Sequence, residues 1–248
     1  MASLDRGDGV PLAYALTPGA SPTLVFLPGF MSDMTGDKAL AVDAHAQASG
    51  LACLRLDYAG HGASGGAFED GTISSWTADA LHLIDALTSG PLIVIGSSMG
   101  GWIALLVALA RPERVVGLIG IAAAPDFTET LMWDAMAPPE RETLLRTGVL
   151  RVASAYGGEQ IVTRRLIEDG RTQLLLGGPI GIGCPVRLLH GMADPDVPWE
   201  TALKLARALA ATDVQVTLVK DGTHRLSRAA DIALLLRVLE EVRQAVLF

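Results

Sequence analysis

A segment without any charged residue, residues 92–110, most strongly restricts what this chain can fold into. It is about as long as a membrane span. Its centre, however, contains Gly96, Ser97, Ser98, Gly100 and Gly101, and a cluster of small residues between two apolar runs is typical of a strand, a sharp turn and a helix. Strands that are buried on both faces of a sheet are as hydrophobic as the first run. The segment therefore predicts a strand–turn–helix unit and no membrane span.

The rest of the chain alternates short apolar runs with longer segments of helical periodicity. The predicted strands are residues 23–27, 52–56, 92–95, 115–121, 186–189 and 215–219. The predicted helices are residues 38–49, 76–88, 102–110 and 201–210, with a last one from Ala230. This alternation predicts an α/β fold, in which a mostly parallel central sheet is flanked by helices on both faces.

The size and composition of the chain are those of a globular protein with one large core. A chain of 248 residues is near the upper limit of what one core can serve, so we predict a single domain, 1–248. Half of the residues are apolar and 19% are charged, which excludes a solvated disordered chain. The formal net charge of -8 argues against a nucleic-acid partner, because binding phosphates requires a clustered positive surface.

The cysteines and the N-terminus point to a protein of a reducing compartment. Cys53 and Cys184 lie far apart without a CxxC pattern, which disfavours both a disulfide scaffold and a zinc site. We predict neither a metal ion nor a cofactor. Residues 1–9 contain Asp5 and Asp8 and no apolar core of signal-peptide length, so the expected location is cytoplasmic.

One stretch, residues 126–183, interrupts the alternation of strands and helices. No strong strand pattern occurs between Pro125 and Cys184, and one proline pair, Pro138-Pro139, and one glycine pair, Gly157-Gly158, divide what we interpret as short helices. We predict that 126–183 is a cap inserted into the single domain. Most of its apolar side chains are expected to attach the cap to its host, and Trp133 is the candidate for a substrate contact if the cap forms an apolar slot.

The reactive chemistry is concentrated in the predicted turn, where Gly96, Ser98 and Gly100 form the pattern G-x-S-x-G. A serine between a strand and a helix in this pattern is held in a strained backbone conformation with its hydroxyl exposed above the sheet. The residues two positions before and after it must be very small, and only Ser98, not the adjacent Ser97, has glycine on both sides. Ser98 is therefore the predicted nucleophile, although the glycines could also serve only to form a tight turn.

A serine nucleophile needs a base and an acid elsewhere in the chain, because a base must remove its proton and a carboxylate must hold that base in one tautomer. After a serine of this kind the acid comes first and the histidine second. Only His224 among the five histidines follows the candidate acids. Asp194 and Asp196 compete for the acid: Asp194 matches the pattern H-G-x-x-D-x-x-V-P, whereas Asp196 is expected to cap the helix that begins near Trp199.

Two backbone N–H groups are the candidates to bind a developing oxyanion. One belongs to the residue after the nucleophile, Met99, and the other to a turn that follows an early strand. Phe30, in the sequence Leu27-Pro28-Gly29-Phe30, has the required position. An ordinary Pro-Gly turn would give the same local sequence.

A glycine-rich segment, residues 60–66, follows the predicted strand 52–56 and contains His61 and Ser64. No lysine typical of a phosphate-binding loop accompanies it. We therefore interpret it as a structural loop near the site.

Several stretches of the chain resemble those of one superfamily, and the likeness covers nearly the whole chain. They are residues 27–32 (LPGFMS), 57–64 (DYAGHGAS), 96–102 (GSSMGGW), 110–113 (ARPE) and 184–192 (CPVRLLHGM). They look like the α/β-hydrolase superfamily and, within it, the small palmitoyl-protein thioesterase and acyl-glucuronide esterase family of mitochondria. The resemblance implies an α/β-hydrolase fold, with Ser98 as nucleophile, Asp194 as the residue that orients the base, and His224 as the base.

The same resemblance implies hydrolysis of carboxylic esters or acyl thioesters, with a small-molecule or acyl-protein substrate. The chain departs from the family because no targeting extension precedes its first strand, and its cap is the part that matches least. Two alternatives use the same residues or the same fold. One is an acyltransferase or perhydrolase that shares the acyl-enzyme, and the other is a noncatalytic ligand-binding protein.

Overall fold

An eight-stranded sheet forms the centre of the computed structural model, which describes residues 1–153 and 159–246. The strands are β1 (Ala2–Asp5), β2 (Pro11–Thr17), β3 (Ala20–Leu27), β4 (Leu51–Leu56), β5 (Leu92–Ser97), β6 (Val115–Ile121), β7 (Val149–Ala153), β8 (Glu159–Thr163), β9 (Val186–Gly191) and β10 (Val214–Val219). The order across the sheet is β1-β2-β4-β3-β5-β6-β9-β10, and β7 with β8 forms a separate ribbon. From β4 to β10 in this order, neighbouring strands run parallel, so the predicted mostly parallel α/β sheet is confirmed.

The N-terminal strands were not predicted from the sequence. β1 pairs antiparallel with β2, and β2 pairs antiparallel with β4. Most residues of the edge strand β1 are exposed, so β1 lacks the alternating apolar pattern that identifies a half-buried strand. The hairpin adds an antiparallel edge to an otherwise parallel sheet, a common arrangement in α/β folds.

Helices cover both faces of the sheet and enclose two apolar cores. The helices are α1 (Asp37–Ser49), α2 (Ile73–Leu87), α3 (Met99–Ala110), α4 (Pro138–Thr147), α5 (Arg164–Gly170), α6 (Glu200–Ala208) and α7 (Ala229–Ala245). On one face α2 and α3 bury Trp76 and Trp102 completely, and on the other α1 and α7 bury Val42 and Leu239. α2 begins after Thr72, whose hydroxyl accepts a hydrogen bond from an otherwise unpaired N–H of the first turn.

The uncharged segment 92–110 is divided between β5 and α3, as predicted. All residues of β5 are buried in the middle of the sheet, with β3 on one side and β6 on the other. Within the described ranges, no helix is long and apolar enough to cross a membrane.

The region between β6 and β9 contains more regular structure than the sequence predicted. It holds a π-helical turn (Thr128–Trp133), the helices α4 and α5, and the antiparallel ribbon of β7 and β8. The interpretation of this stretch as short helices missed both strands, because they are short and only half-buried and therefore leave no strong strand pattern. The glycine pair at 157–158 lies outside the described residues. The boundaries of the cap, 126–183, stay a prediction.

The carboxyl ends of the parallel strands meet along one edge of the sheet. The turn after β3, the turn after β5 and the loops after β9 and β10 all lie at this edge. In open α/β sheets, ligands bind outside the carboxyl ends of the strands. The residues that follow these four strands therefore form the candidate site.

Candidate active site

Ser98 occupies a strained turn between β5 and α3. Its backbone has φ 55° and ψ -120°, values that non-glycine residues rarely adopt and that occur where the surrounding structure enforces them. The flanking glycines make the turn possible. A Cβ atom at Gly96 would lie 2.1 Å from the carbonyl oxygen of Gly100, and one at Gly100 would lie 2.1 Å from the carbonyl oxygen of Leu27. Neither position has room for a side chain, which agrees with the requirement for very small residues inferred from the sequence.

The structure brings Ser98, His224 and Asp194 into one chain of hydrogen bonds. The Nε2 atom of His224 lies 3.0 Å from the Oγ atom of Ser98, and its Nδ1 atom lies 2.8 Å from the Oδ2 atom of Asp194. The side chain of Asp194 is fully buried and that of His224 is 16% exposed. Since a carboxylate only accepts hydrogen bonds, the Nδ1 atom carries the proton and the Nε2 atom faces the serine hydroxyl as an acceptor.

Two glycines allow the acid loop and the histidine loop to approach each other. A Cβ atom at Gly191, at the end of β9, would lie 2.2 Å from the carbonyl oxygen of Gly222, which precedes His224 by two residues. The N–H groups of Met192 and Ala193 donate to the carbonyl oxygens of Val219 and Gly222, respectively. The two loops are therefore joined backbone to backbone, and this fixes the distance between Asp194 and His224.

Asp194 is held as a carboxylate by donors on both of its oxygens. Oδ1 accepts the N–H groups of Asp196 and Val197, at 2.8 and 2.9 Å. Oδ2 contacts His224 and lies 3.3 Å from the Nε2 atom of His190. Burial favours the neutral acid, but the two histidines and the Val197 N–H outweigh it and hold the pKa of Asp194 well below its usual range.

His190 is a site residue that the sequence did not single out. It is completely buried, and its Nε2–H donates to the carbonyl oxygen of Val197 at 3.0 Å. It stands four residues before Asp194, in the same H-G-x-x-D pattern that identified the acid. The pattern was a sufficient signal for the acid, but the contact between its first and last residues depends on the fold of the loop.

Asp196 does not cap the following helix, so that expectation was wrong. α6 begins at Glu200 with Trp199 at its N-cap position, and no side chain caps it there. The backbone N–H of Asp196 instead donates to Asp194, as part of the turn that holds the acid.

The ligand atoms of Asp194, Asp196 and His224 all lie within 4.8 Å of one another, a spacing that could also suit a metal ion. Both carboxylate oxygens of Asp194 already accept N–H groups, however, and this disfavours their binding to a metal ion.

One predicted oxyanion donor directly follows the serine in the chain, and the other belongs to a turn that approaches the serine. Met99 is the first residue of α3, and Phe30 belongs to the turn after β3. A Cβ atom at Gly29 would lie 3.3 Å from the Cβ atom of Ser98, so the turn approaches the serine closely. Among the described residues, neither the Phe30 N–H nor the Met99 N–H donates a hydrogen bond. Both remain available to an oxygen atom bound beside Ser98.

A cavity of about 620 Å³ opens next to Ser98 and His224. Its apolar lining comes in part from the turn after β3 and from the region between β6 and β9, and includes Phe30, Phe127, Leu131 and Met132. Its charged lining residues, besides the catalytic candidates, are Lys38, Glu159, Asp196 and Arg225. The cavity thus combines apolar and charged side chains around the serine.

Trp133 is not among the described residues that line this cavity. Two guanidinium groups lie over its ring, that of Arg141 at 5.1 Å and that of Arg171 at 4.7 Å from the ring centre. These cation–π contacts hold the ring against the two arginines. Leu131 and Met132, its neighbours on the π-helical turn, face the cavity instead. The structure therefore does not support Trp133 as a substrate contact.

Lys38 links α1 to the loop of His224 and was also missed from the sequence. Its Nζ atom donates to the carbonyl oxygen of Arg225, the residue after His224. Burial lowers the pKa of Lys38 to about 8. The contact joins two residues that are far apart in the chain, so no local sequence pattern indicates it.

Comparisons with known proteins show which family the chain belongs to. A family model described as "Serine aminopeptidase, S33" matches residues 20–169, which include Ser98. Palmitoyl-protein thioesterase ABHD10, mitochondrial, from Homo sapiens is 42% identical over 241 residues, which cover 96% of this chain and 78% of that protein.

Two solved structures are similar over almost their whole length. A putative hydrolase from Agrobacterium vitis has a TM-score of 0.92 and 44% identity, and the match covers 98% of this chain and 97% of that one. Alpha/beta hydrolase domain-containing protein 10 from mouse has a TM-score of 0.91 and 37% identity, with 98% of each chain covered. The resemblance noted in the sequence is confirmed. The chain belongs to the α/β-hydrolase family that includes palmitoyl-protein thioesterase ABHD10, and it is an enzyme of the ester and thioester hydrolase class.

Proposed function

We propose that Ser98, His224 and Asp194 are the catalytic triad of this enzyme, and that it hydrolyses acyl thioesters and activated carboxylic esters. The observation that carries the proposal is the continuous hydrogen-bonded chain from Asp194 to the Oγ atom of Ser98. That chain ends at a strained turn beside an apolar cavity, where an acyl group has room to bind.

In the first step the Oγ atom of Ser98 attacks the carbonyl carbon of the acyl group. The Nε2 atom of His224 takes the hydroxyl proton, and Asp194 stabilises the resulting imidazolium through the Nδ1–H. The carbonyl oxygen becomes an oxyanion, which accepts the N–H groups of Phe30 and Met99. The bond to the thiolate or alkoxide then breaks, His224 returns the proton to the leaving group, and an acyl-enzyme remains.

The second step reverses these roles with water as the nucleophile. His224 takes a proton from the water, and the hydroxide adds to the acyl carbon of the Ser98 ester. The tetrahedral intermediate collapses, the carboxylic acid leaves, and His224 returns the proton to the Oγ atom. The same acyl-enzyme would serve an acyltransferase, but hydrolysis agrees with the class of the family relatives.

The substrate class follows from the apolar wall of the cavity. Phe30, Phe127, Leu131 and Met132 offer a surface for an aliphatic acyl chain. Each buried methylene contributes about 0.8 kcal/mol, or nearly fourfold in kcat/KM when the contact forms in the transition state. We infer a preference for medium or longer acyl chains on a good leaving group, as in a palmitoyl-protein thioesterase or an acyl-glucuronide esterase, and no hydrolysis of peptides.

A chain-length series tests this proposal. We expect kcat/KM for p-nitrophenyl esters to rise from two to roughly eight carbons, with matching activity on acyl thioesters. The substitution Leu131→Ala should flatten the rise, because it removes part of the apolar wall, whereas the neighbouring Trp133→Ala should leave the slope unchanged. A steady decline from the two-carbon ester onward, in wild type, would show that no acyl slot exists.

A cytoplasmic location stays a prediction of the N-terminal sequence. The ABHD10 relatives are named as mitochondrial proteins. Imaging of the full chain, tagged at its C-terminus in its own cells, would test the prediction.

A further inference from the structure

The loop after β4 is hydrogen-bonded to the turn that carries the proposed oxyanion donor. We call residues 28–34 the oxyanion turn and residues 57–64 the supporting loop. The Tyr58 hydroxyl donates to the carbonyl oxygen of Pro28 at 3.2 Å, and Asp57 Oδ1 accepts the N–H of Met34 at 2.7 Å. These two contacts lie at the ends of the oxyanion turn, which leaves its centre to be held by other groups.

His61 makes the central contact. Its Nε2 atom accepts the N–H of Met31 at 3.2 Å, and its Nδ1 atom lies 3.3 Å from the carbonyl oxygen of Ala59. A backbone N–H can only donate and a carbonyl oxygen can only accept, so the ring is neutral with its proton on Nδ1. Burial keeps it neutral, because it lowers the pKa of His61 to about 4. At neutral pH the ring is therefore a permanent acceptor for Met31.

Met31 needs such a partner because its backbone is strained. Its φ is 56°, in the left-handed region that costs energy for a residue with a side chain. Met31 follows Phe30 directly, and the peptide unit between them sets the path of the turn at the proposed donor. The side chain of Met31 is 47% exposed, so its own packing does little to hold this conformation.

Aromatic rings hold His61 and Phe30 in one cluster. The ring of His61 lies 5.0 Å from the rings of both Phe68 and Trp76. The ring of Phe30 lies 5.1 Å from Phe68 and 5.9 Å from Trp76. Since the two residues share these neighbours, the position of the imidazole is fixed relative to the side chain of Phe30.

We propose that His61 is a positioning residue for the oxyanion hole. By accepting the Met31 N–H, His61 holds the neighbouring Phe30 N–H where it can donate to the oxyanion. This role rests on the proposed function of Ser98 and Phe30. His61 touches no reacting atom. A hydrogen-bond donor aimed at a transition-state charge works only within a narrow range of positions, and a displacement of about 1 Å can cost two orders of magnitude in rate.

Two substitutions of similar polarity separate this role from simple packing. His61→Asn can still reach the Ala59 carbonyl oxygen but ends short of Met31, whereas His61→Gln can extend an amide oxygen to where Nε2 lies. We expect His61→Asn to lower kcat by about 10- to 100-fold with KM changed less than about twofold, and His61→Gln to recover most of that loss. His82→Asn is the matched control and should leave kcat unchanged, because His82 contacts the carbonyl oxygen of Asp5 instead.

A thionoester substrate gives a readout that general destabilisation does not change. Its sulfur accepts hydrogen bonds weakly, so it gains little from an intact oxyanion hole. We expect the ratio of ester to thionoester kcat/KM to fall about tenfold in His61→Asn and to stay near the wild-type ratio in His61→Gln. Equal losses on both substrates, or no loss, would overturn the proposal.

The tautomer of His61 in the wild-type enzyme provides a test that needs no variant to fold. Nitrogen-15 NMR of the imidazole should show a protonated Nδ1 and an unprotonated Nε2 at neutral pH. A protonated Nε2 would overturn the role of His61 while leaving Ser98 untouched. Labelling of a serine other than Ser98 would overturn the proposed function instead, and the two failures are therefore distinguishable.

Discussion

The substitution Asp194→Asn should disable the enzyme by reversing the tautomer of His224. In the structure Oδ1 of Asp194 accepts two backbone N–H groups, from Asp196 and Val197. An asparagine must place its one carbonyl oxygen against these two donors, because an NH₂ group there would leave both unpaired in a buried place. Its NH₂ group then faces the Nδ1 atom of His224, in the position of Oδ2.

That NH₂ group donates to Nδ1, so the ring proton moves to Nε2. Nε2–H then faces the Oγ atom of Ser98 as a donor, across a distance of 3.0 Å, and can no longer accept the hydroxyl proton. The expected loss in kcat is roughly 10⁴, which corresponds to about 5.4 kcal/mol of transition-state stabilisation. The assay is steady-state hydrolysis of a p-nitrophenyl ester near pH 8, with the melting temperature measured on the same sample.

The neighbouring carboxylate supplies the matched control. Asp196→Asn should keep most of the activity, since Asp196 gives its backbone N–H to Asp194 and the variant retains that N–H. If Asp196→Asn were inactive and Asp194→Asn nearly normal, the role of the acid would belong to Asp196 and the reasoning from hydrogen-bond direction would be refuted.

Two further predictions follow from the same geometry. kcat/KM should fall on acidification, because the Nε2 atom of His224 can accept the serine proton only while it carries none itself. The lowered pKa of Asp194 keeps that carboxylate charged in mildly acidic solution, so a kcat/KM that does not change down to about pH 4 would contradict His224 as the base. Gly100→Ala should destabilise the fold by at least about 1 to 3 kcal/mol in denaturant unfolding, because its Cβ would lie 2.1 Å from the Leu27 carbonyl oxygen. Gly178→Ala, where a Cβ meets nothing within 4 Å, should be nearly neutral.

The sequence predicted those parts of the site that rest on local patterns. Gly96 and Gly100 identify the strained turn because their small size is a steric requirement that can be recognised without a structure. The order of serine, acid and histidine along the chain selected His224, and the pattern H-G-x-x-D-x-x-V-P favoured Asp194 over Asp196. The structure places Asp194 and His224 in contact. The parallel sheet followed from the alternation of apolar runs and helices.

The parts that were missed depend on contacts between distant segments. Trp133 packs against Arg171, which comes from another element, and the local sequence around Trp133 does not indicate that contact. His61 sits in a glycine-rich segment that looks purely structural, and its contact with Met31 exists only once β3 and β4 pair. The ribbon of β7 and β8 is half-buried, so its strands carry too little apolar alternation to be recognised.

The central claim is that Ser98 forms the acyl-enzyme. It is tested most directly by treating the wild-type protein with a fluorophosphonate probe and identifying the labelled peptide by mass spectrometry. The account predicts a single modification on Ser98 and no labelling of Ser98→Ala, with kcat in that variant lower by about 10⁴ to 10⁶. A label on another serine, or ester hydrolysis at the wild-type rate in Ser98→Ala, would contradict it.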